Sequence, residues 1–155
     1  MIKKLKPYII GISVALGAGI LSSLLTMGNM DIYSEINTPP LSPPAILFPI
    51  VWTILYILMG VSAALVYKSN DLEKSTALTF WAIQLAVNFF WSPIFFNMRA
   101  FFFSFIWLVI LDVLVVVMIV LFHRISPLAA WLELPYLIWI LFATYLNFSI
   151  FLLNR

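Results

Sequence analysis

The chain contains no cysteine and only one histidine, His123, among its 155 residues. Without cysteine there is no disulfide, no thiolate-held zinc or iron–sulfur cluster and no thiol nucleophile. A single imidazole also excludes any metal site that needs two histidines from one chain. We therefore predict that the protein has no metal site.

Charge is scarce as well. Lys, Arg, Asp and Glu make up 9% of the residues, compared with about 25% in a soluble domain. Hydrophobic residues make up 65%, and the mean hydropathy is +1.13. These values exclude a soluble globular protein, and they exclude a disordered chain, which needs low hydrophobicity and high net charge. The basic residues form no patch that would bind nucleic acid. The remaining class is a small multi-pass membrane protein.

Five continuous apolar windows are long enough to cross the bilayer, for which a helix needs about 20 residues. The backbone of each window must satisfy its own hydrogen bonds in lipid, and continuous rather than alternating hydrophobicity argues against a β-barrel. The first window is uncharged over 24 residues, longer than the apolar part of a signal peptide. We predict one domain, an all-α integral membrane protein with a bundle of five transmembrane helices, at about residues 7–27, 46–67, 75–98, 100–122 and 128–153.

The longest connection, residues 28–45, contains four prolines in six positions, at 39, 40, 43 and 44. Proline favours a stiff, extended segment. The segment is therefore either a lid over one end of the bundle or a spacer between two helices. Six of the eight Lys and Arg residues lie on the side of the N-terminus. The positive-inside rule then places the N-terminus in the cytoplasm and residues 28–45 outside.

Polar residues inside the windows indicate where function is located. Asp112 lies in the middle of the fourth window, where a carboxyl group must face the bundle; we weigh a ligand cavity and an interhelical hydrogen bond equally. The third window places Trp81, Gln84, Asn88 and Trp91 on one face. Similar faces on the second and fifth windows contain Trp52, Tyr56, Tyr136, Trp139, Ala143 and Asn147. Aromatic rings beside amides suit a planar aromatic ligand.

Small residues at helical spacing mark two further faces. Ala82 and Ala86 lie opposite the polar face of the third window, and small residues four apart allow close helix approach. They are either a dimer interface or a contact within one chain. On the first window Gly11, Ala15 and Gly19 form a similar row, for which helix packing is the stronger interpretation.

Four segments carry a resemblance to a known family: Pro39–Pro44, Phe48–Gly60, Gln84–Phe96 and Pro135–Asn147. With them the chain resembles the TspO/MBR family, the bacterial relatives of the mitochondrial translocator protein, or peripheral benzodiazepine receptor. The resemblance implies a five-helix bundle in the bacterial plasma membrane, usually dimeric, with a pocket capped by the first loop. Family ligands include protoporphyrin IX, cholesterol, isoquinoline carboxamides and benzodiazepines.

The resemblance and the inward-facing residues together predict a membrane receptor for porphyrins and other hydrophobic planar ligands. Light-dependent porphyrin breakdown, with Trp52 and Trp139 as candidate photochemical residues, and a stress-regulatory role are implied. The alternatives are a transporter of tetrapyrroles or other hydrophobic small molecules across the membrane, and a scaffold whose polar residues only hold helices together. A hydrolase lacks its nucleophile and base, and no cofactor is required. Cholesterol is doubtful, since no Lys or Arg follows Tyr145 within five residues. The predicted ligand-binding residues are Tyr33, Pro43, Trp52, Tyr56, Gln84, Asn88, Trp91, Asp112, Tyr136, Trp139, Ala143 and Asn147.

Overall fold

The protein, described over residues 1–155 by a computed structural model, is built of helices and turns. A 3-10 turn at Met27–Asn29 follows the first helix, and a π turn at Pro93–Asn97 follows the fourth. Five of the six helices are long and apolar enough to cross a membrane, which confirms the predicted all-α membrane fold. The helices are α1 (Ile2–Thr26), α2 (Ile32–Glu35), α3 (Leu47–Lys68), α4 (Lys74–Ser92), α5 (Phe101–Ile125) and α6 (Pro127–Leu153).

Proline and serine account for two of the helix ends. Ser126 caps α6 by accepting the N–H of Ala129, and Pro127 occupies the first helical position, where a missing N–H costs little. Pro93 has no N–H to offer the carbonyl of Phe89 four residues earlier, and α4 continues there as a π turn. The hydroxyl of Ser22 in α1 donates to the Phe89 carbonyl at 2.7 Å. A proline in one helix is thus compensated by a serine in another.

The five spanning helices form a ring in the order α1, α3, α6, α5, α4, and α3 also contacts α4 across it. The closest approach is between α1 and α3 at Gly11 and Gly60. A Cβ added to Gly60 would collide with the backbone of Ile12, and one added to Gly11 would collide with the carbonyl of Gly60. Only glycine fits at this crossing, so two residues without side chains set the distance between α1 and α3.

Large side chains fill the half of the bundle near the chain's N-terminus. Met59, Val66, Met118 and Phe122 are fully buried there, and the indole of Trp81 donates to the Met59 carbonyl at 3.2 Å. This half is therefore a continuous packed core. The other half, below residues 28–45, is not filled in this way.

Glu133 lies near the start of the fifth predicted window, a position in the sequence that predicts a charge at a helix end, near water. The structure buries it completely in the second turn of α6. It lies on the inward face with Ala129, Ala130 and Tyr136, and the hydroxyl of Ser62 in α3 donates to its carboxyl group. The correction arises because α6 is already inside the bundle at its first turn, so a residue near the helix start is not in water.

The Gly60 crossing gives a stability prediction. Gly60→Ala introduces a methyl group against the backbone of α1, which cannot move aside as a flexible side chain would. Overpacking of this kind costs about 1–3 kcal/mol, and we expect a lower unfolding temperature in detergent, followed by circular dichroism. The matched control is Gly17→Ala, since a Cβ at Gly17 meets no atom within 4 Å. Equal unfolding temperatures for the two variants would contradict the close approach.

Candidate functional site: a cavity under the first loop

A cavity of about 380 Å³ lies between α1, α3, α4 and α6, in the half of the bundle below residues 28–45. Small-molecule sites typically measure about 300–1,000 Å³. No Asp, Glu, Lys, Arg or His lines it; the side chains are apolar, aromatic, hydroxyl or amide. The lining residues are Gly19, Ser22, Ser23, Thr26, Met30, Tyr33, Ala45, Phe48, Pro49, Trp52, Tyr56, Asn88, Trp91, Ser92, Phe95, Phe96, Ala143, Leu146, Asn147 and Ile150.

The first loop covers the mouth of this cavity and is fastened at several points. Asn37 and Asn154, at the end of α6, exchange two hydrogen bonds of 2.9 and 2.8 Å. Asn29 donates to Asn97 at 2.8 Å, which ties the end of α1 to the α4–α5 connection. The Tyr33 ring meets the ring of Phe48 edge-on, with centroids 5.4 Å apart. The loop is therefore a lid that contacts three helix ends. Of the two alternatives predicted for residues 28–45, a lid and a spacer, the structure has the lid.

A buried chain of hydrogen bonds forms the floor. The hydroxyl of Tyr56 donates to the Asn88 side-chain oxygen at 2.8 Å, and the Asn88 amide donates to the Tyr136 oxygen at 2.9 Å. The Tyr136 hydroxyl donates in turn to Gln84 at 2.7 Å. Trp52 stacks on Tyr56, with centroids 5.4 Å apart. The floor is rigid because each group in it is fixed by a neighbour on another helix.

The wall formed by α4 and α6 combines an indole, an amide and a small residue. Trp91 donates from its indole N–H to Asn147 at 3.0 Å, and Asn147 donates to the Phe101 carbonyl at 2.7 Å. The Trp91 ring also stacks on Phe95, with centroids 5.2 Å apart. Ala143 lies beside them and leaves space that a larger side chain would fill.

The opposite wall comes from α1, through Gly19, Ser22, Ser23 and Thr26. A Cβ at Gly19 would collide with the Tyr56 ring, so glycine is needed there for a reason unlike that at Gly11. The predicted row of small residues thus has two roles. Its first part brings α1 against α3, and its second part borders the cavity.

Seven of the twelve predicted ligand-binding residues line the cavity and five do not. Gln84 and Tyr136 lie beneath it, fully buried in the floor network. Trp139 lies behind Phe48, with ring centroids 5.9 Å apart, and its buried indole N–H has no partner. The seven that line it are Tyr33, Trp52, Tyr56, Asn88, Trp91, Ala143 and Asn147.

The other two predicted residues lie away from the lining. Asp112 accepts a hydrogen bond of 2.8 Å from the Thr144 hydroxyl, so it joins α5 to α6. Of the two roles predicted for Asp112, a ligand site and an interhelical hydrogen bond, the structure therefore has the second. Pro43 is half-buried within the lid and does not reach the cavity. Asp112 and Pro43 do not line the cavity because the segments that carry them point these side chains elsewhere. A pattern of residue types in the sequence does not specify that direction.

Several lining residues were not among the predicted ones. Phe48 and Pro49 lie one turn before Trp52 and two turns before Tyr56 on the same side of α3, and Leu146 and Ile150 follow Ala143 along α6. Helical spacing from the predicted residues points to these four. Met30 and Ala45 lie in the lid, where no helical period applies, and the sequence held no signal for them.

The fold and the cavity define a class of protein: a multi-pass helical membrane protein with an uncharged, aromatic, lidded binding pocket. Comparison with known proteins agrees. The profile of the TspO/MBR family matches residues 10–153. The chain belongs to the TspO/MBR family.

Named relatives cover most of the chain. It is 40% identical over 126 residues to the tryptophan-rich protein TspO of Chlorobaculum tepidum, covering 79% of this chain and 78% of the relative. It is 41% identical over 125 residues to protein CrtK of Rhodobacter capsulatus, with coverage of 79% and 78%. It is 32% identical over 126 residues to the translocator protein of Ovis aries, with coverage of 79% and 75%. The five spans and the bacterial relatives make it a multi-pass bacterial membrane protein.

Proposed function

We propose that the protein is a membrane receptor that binds porphyrins such as protoporphyrin IX, and other hydrophobic planar ligands, in the cavity under the lid. One observation carries the proposal: the cavity is lined by aromatic rings, amides and hydroxyls, without any Asp, Glu, Lys, Arg or His. Rings of this kind stack on a flat conjugated molecule, and the polar groups orient it. Isoquinoline carboxamides, which combine a fused ring with an amide, have the same chemistry.

Binding is better supported than transport. The cavity occupies only the lid-side half of the bundle, and its floor is closed by the network from Tyr56 to Gln84. Below the floor the packed core around Met59 and Trp81 continues to the other end. A ligand passing through the bundle would have to separate these contacts. A transporter remains the second candidate, and porphyrin flux into liposomes containing the protein distinguishes it from a receptor.

Filling the cavity tests the binding proposal. Ala143→Phe places a ring in the space beside Trp91 and Asn147, so we expect protoporphyrin IX to bind at least about tenfold more weakly, a difference of about 1.4 kcal/mol. Quenching of tryptophan fluorescence in a titration measures the affinity. Val113→Phe is the matched control, because Val113 is 59% exposed on the outer face of α5. Unchanged binding by Ala143→Phe, with a normal unfolding temperature, would place the ligand elsewhere.

We propose further that bound porphyrin is broken down in light with the help of an indole. The excited ring accepts an electron from the indole and passes it to dioxygen, which becomes superoxide. The indole radical cation then recovers an electron from the porphyrin, and the oxidised ring combines with the superoxide and is cleaved. Trp52 lines the cavity, whereas Trp139 does not line it and contacts the lining residue Phe48. The two candidate tryptophans are therefore not equivalent in this structure.

This difference is testable. We expect Trp52→Phe to slow the light-driven loss of the Soret absorption several-fold and Trp139→Phe to slow it less, because the distance for electron transfer is longer. The rate is followed by absorption at equal porphyrin occupancy, with dark samples and Trp131→Phe as controls. An unchanged rate in the Trp52→Phe, Trp139→Phe double variant would rule out a role for either indole.

We also propose a homodimer through the outer face of α4. Ala82 and Ala86 are exposed there, opposite the buried residues Trp81, Gln84 and Asn88. Since the chain has no cysteine, Ala86→Cys introduces a single thiol. We expect oxidation in membranes to give a covalent dimer of Ala86→Cys in high yield and little of Val113→Cys, on the exposed face of α5. Equal yields from both variants would indicate random collisions.

A further inference from the structure

A second depression, of about 320 Å³, lies on the outer surface between α5 and α6, at the end of the bundle opposite the lid. Trp131 on its rim is 66% exposed and Val120 is 49% exposed, so the depression is open to the surrounding membrane. The function proposed for the lidded cavity makes no use of it. Its lining residues are Ile119, Val120, His123, Arg124, Ala130, Trp131 and Leu134.

The lining residues of this depression form two levels along the membrane normal, a deeper apolar level and a cationic level nearer the end of the bundle. On α5, Ile119 and Val120 lie one turn deeper in the membrane than His123 and Arg124, a difference of about 6 Å along the helix. On α6, Leu134 is likewise one turn deeper than Ala130. The cationic level coincides with the last turn of α5 and the first turn of α6, where a membrane meets water. Trp131 stands at the same level, where indoles are commonly found.

The charge of Arg124 is not neutralised within the protein. Its guanidinium forms no ion pair or hydrogen bond, and the one ion pair of the chain joins Arg99 to Glu35 at the other end. The nearest carboxyl group along the chain on the α6 side, Glu133, is buried against Ser62. A cationic group above an open apolar groove is complementary to an anionic head on a hydrocarbon chain.

We propose that this groove is a binding site for an anionic phospholipid of the cytoplasmic leaflet. An acyl chain lies against Ile119, Val120 and Leu134, and the phosphate accepts hydrogen bonds from Arg124, with His123 beside it. The leaflet follows from the distribution of basic residues, of which Lys3, Lys4, Lys6, Lys68, Lys74 and Arg124 share this end. Basic pockets between transmembrane helices on the cytoplasmic side recognise lipid head groups by the same chemistry.

Lipid selectivity tests the proposal. The purified full-length protein is titrated with phosphatidylglycerol or phosphatidylcholine of identical acyl chains, and bound lipid is counted by native mass spectrometry. We expect the wild type to prefer phosphatidylglycerol. Arg124→Gln is expected to reduce that preference about five-fold, the effect of about one cationic side chain near a membrane surface. Val120→Trp, which fills the groove and keeps the charges, is expected to weaken binding of both lipids.

Two control variants distinguish a specific lipid-binding site from a general electrostatic attraction between anionic lipid and the basic end of the protein. Lys3→Gln removes the same charge from the same end but outside the groove, and Arg155→Gln removes it from the other end. Neither is expected to change the preference by more than about a factor of two, given that exposed charges are screened by salt. If Lys3→Gln lowers the preference as much as Arg124→Gln, the attraction is diffuse and the proposal is wrong. It is equally wrong if Arg124→Gln retains the full preference.

Discussion

Every polar side chain inside a bilayer must find its partner within the protein, because hydrocarbon offers none. In this chain the polar side chains at the centre of the bundle meet that requirement in one connected set, from Tyr56 through Asn88 and Tyr136 to Gln84. The set joins α3, α4 and α6 at one level of the bundle. It separates the packed half from the open half, so the same contacts that hold the helices together also give the cavity its floor.

The cavity inherits its chemistry from this constraint. Amides and phenols can be lodged in lipid once they are paired, whereas an unpaired charge is far more costly. The two acidic residues within the spans, Asp112 and Glu133, are each bonded to a hydroxyl on a neighbouring helix and lie outside the cavity lining. What remains for a ligand is a set of rings and neutral polar groups. The proposed ligand would therefore be selected by shape and stacking more than by charge.

Hydropathy alone predicts the five spans, because membrane helices are defined by length and composition. The inward-pointing faces of α3, α4 and α6 were also predictable. Asn and Gln must point inward, and helical spacing places the neighbouring aromatic residues on the same face. The depth of a residue in the bundle and the direction in which its side chain points were not predictable. Residue types do not show that Trp139 lies behind Phe48, that Glu133 is already inside the bundle in the second turn of α6, or that Met30 and Ala45 reach the cavity from the lid. These depend on how helices tilt and where an irregular segment runs.

The glycine contact between α1 and α3 has a mechanical consequence. With no side chain between Gly11 and Gly60, the backbones of α1 and α3 come into direct contact there, while Gly19 borders the cavity about 12 Å further along α1. The course of α1 along the cavity therefore depends on this backbone contact in the packed half, and further along on Gly19 against Tyr56 and on the hydrogen bond from Ser22 to Phe89. A tilt of α1 by about five degrees about the glycine contact would move Gly19 by about 1 Å, so a contact that no ligand reaches helps to set the width of the cavity.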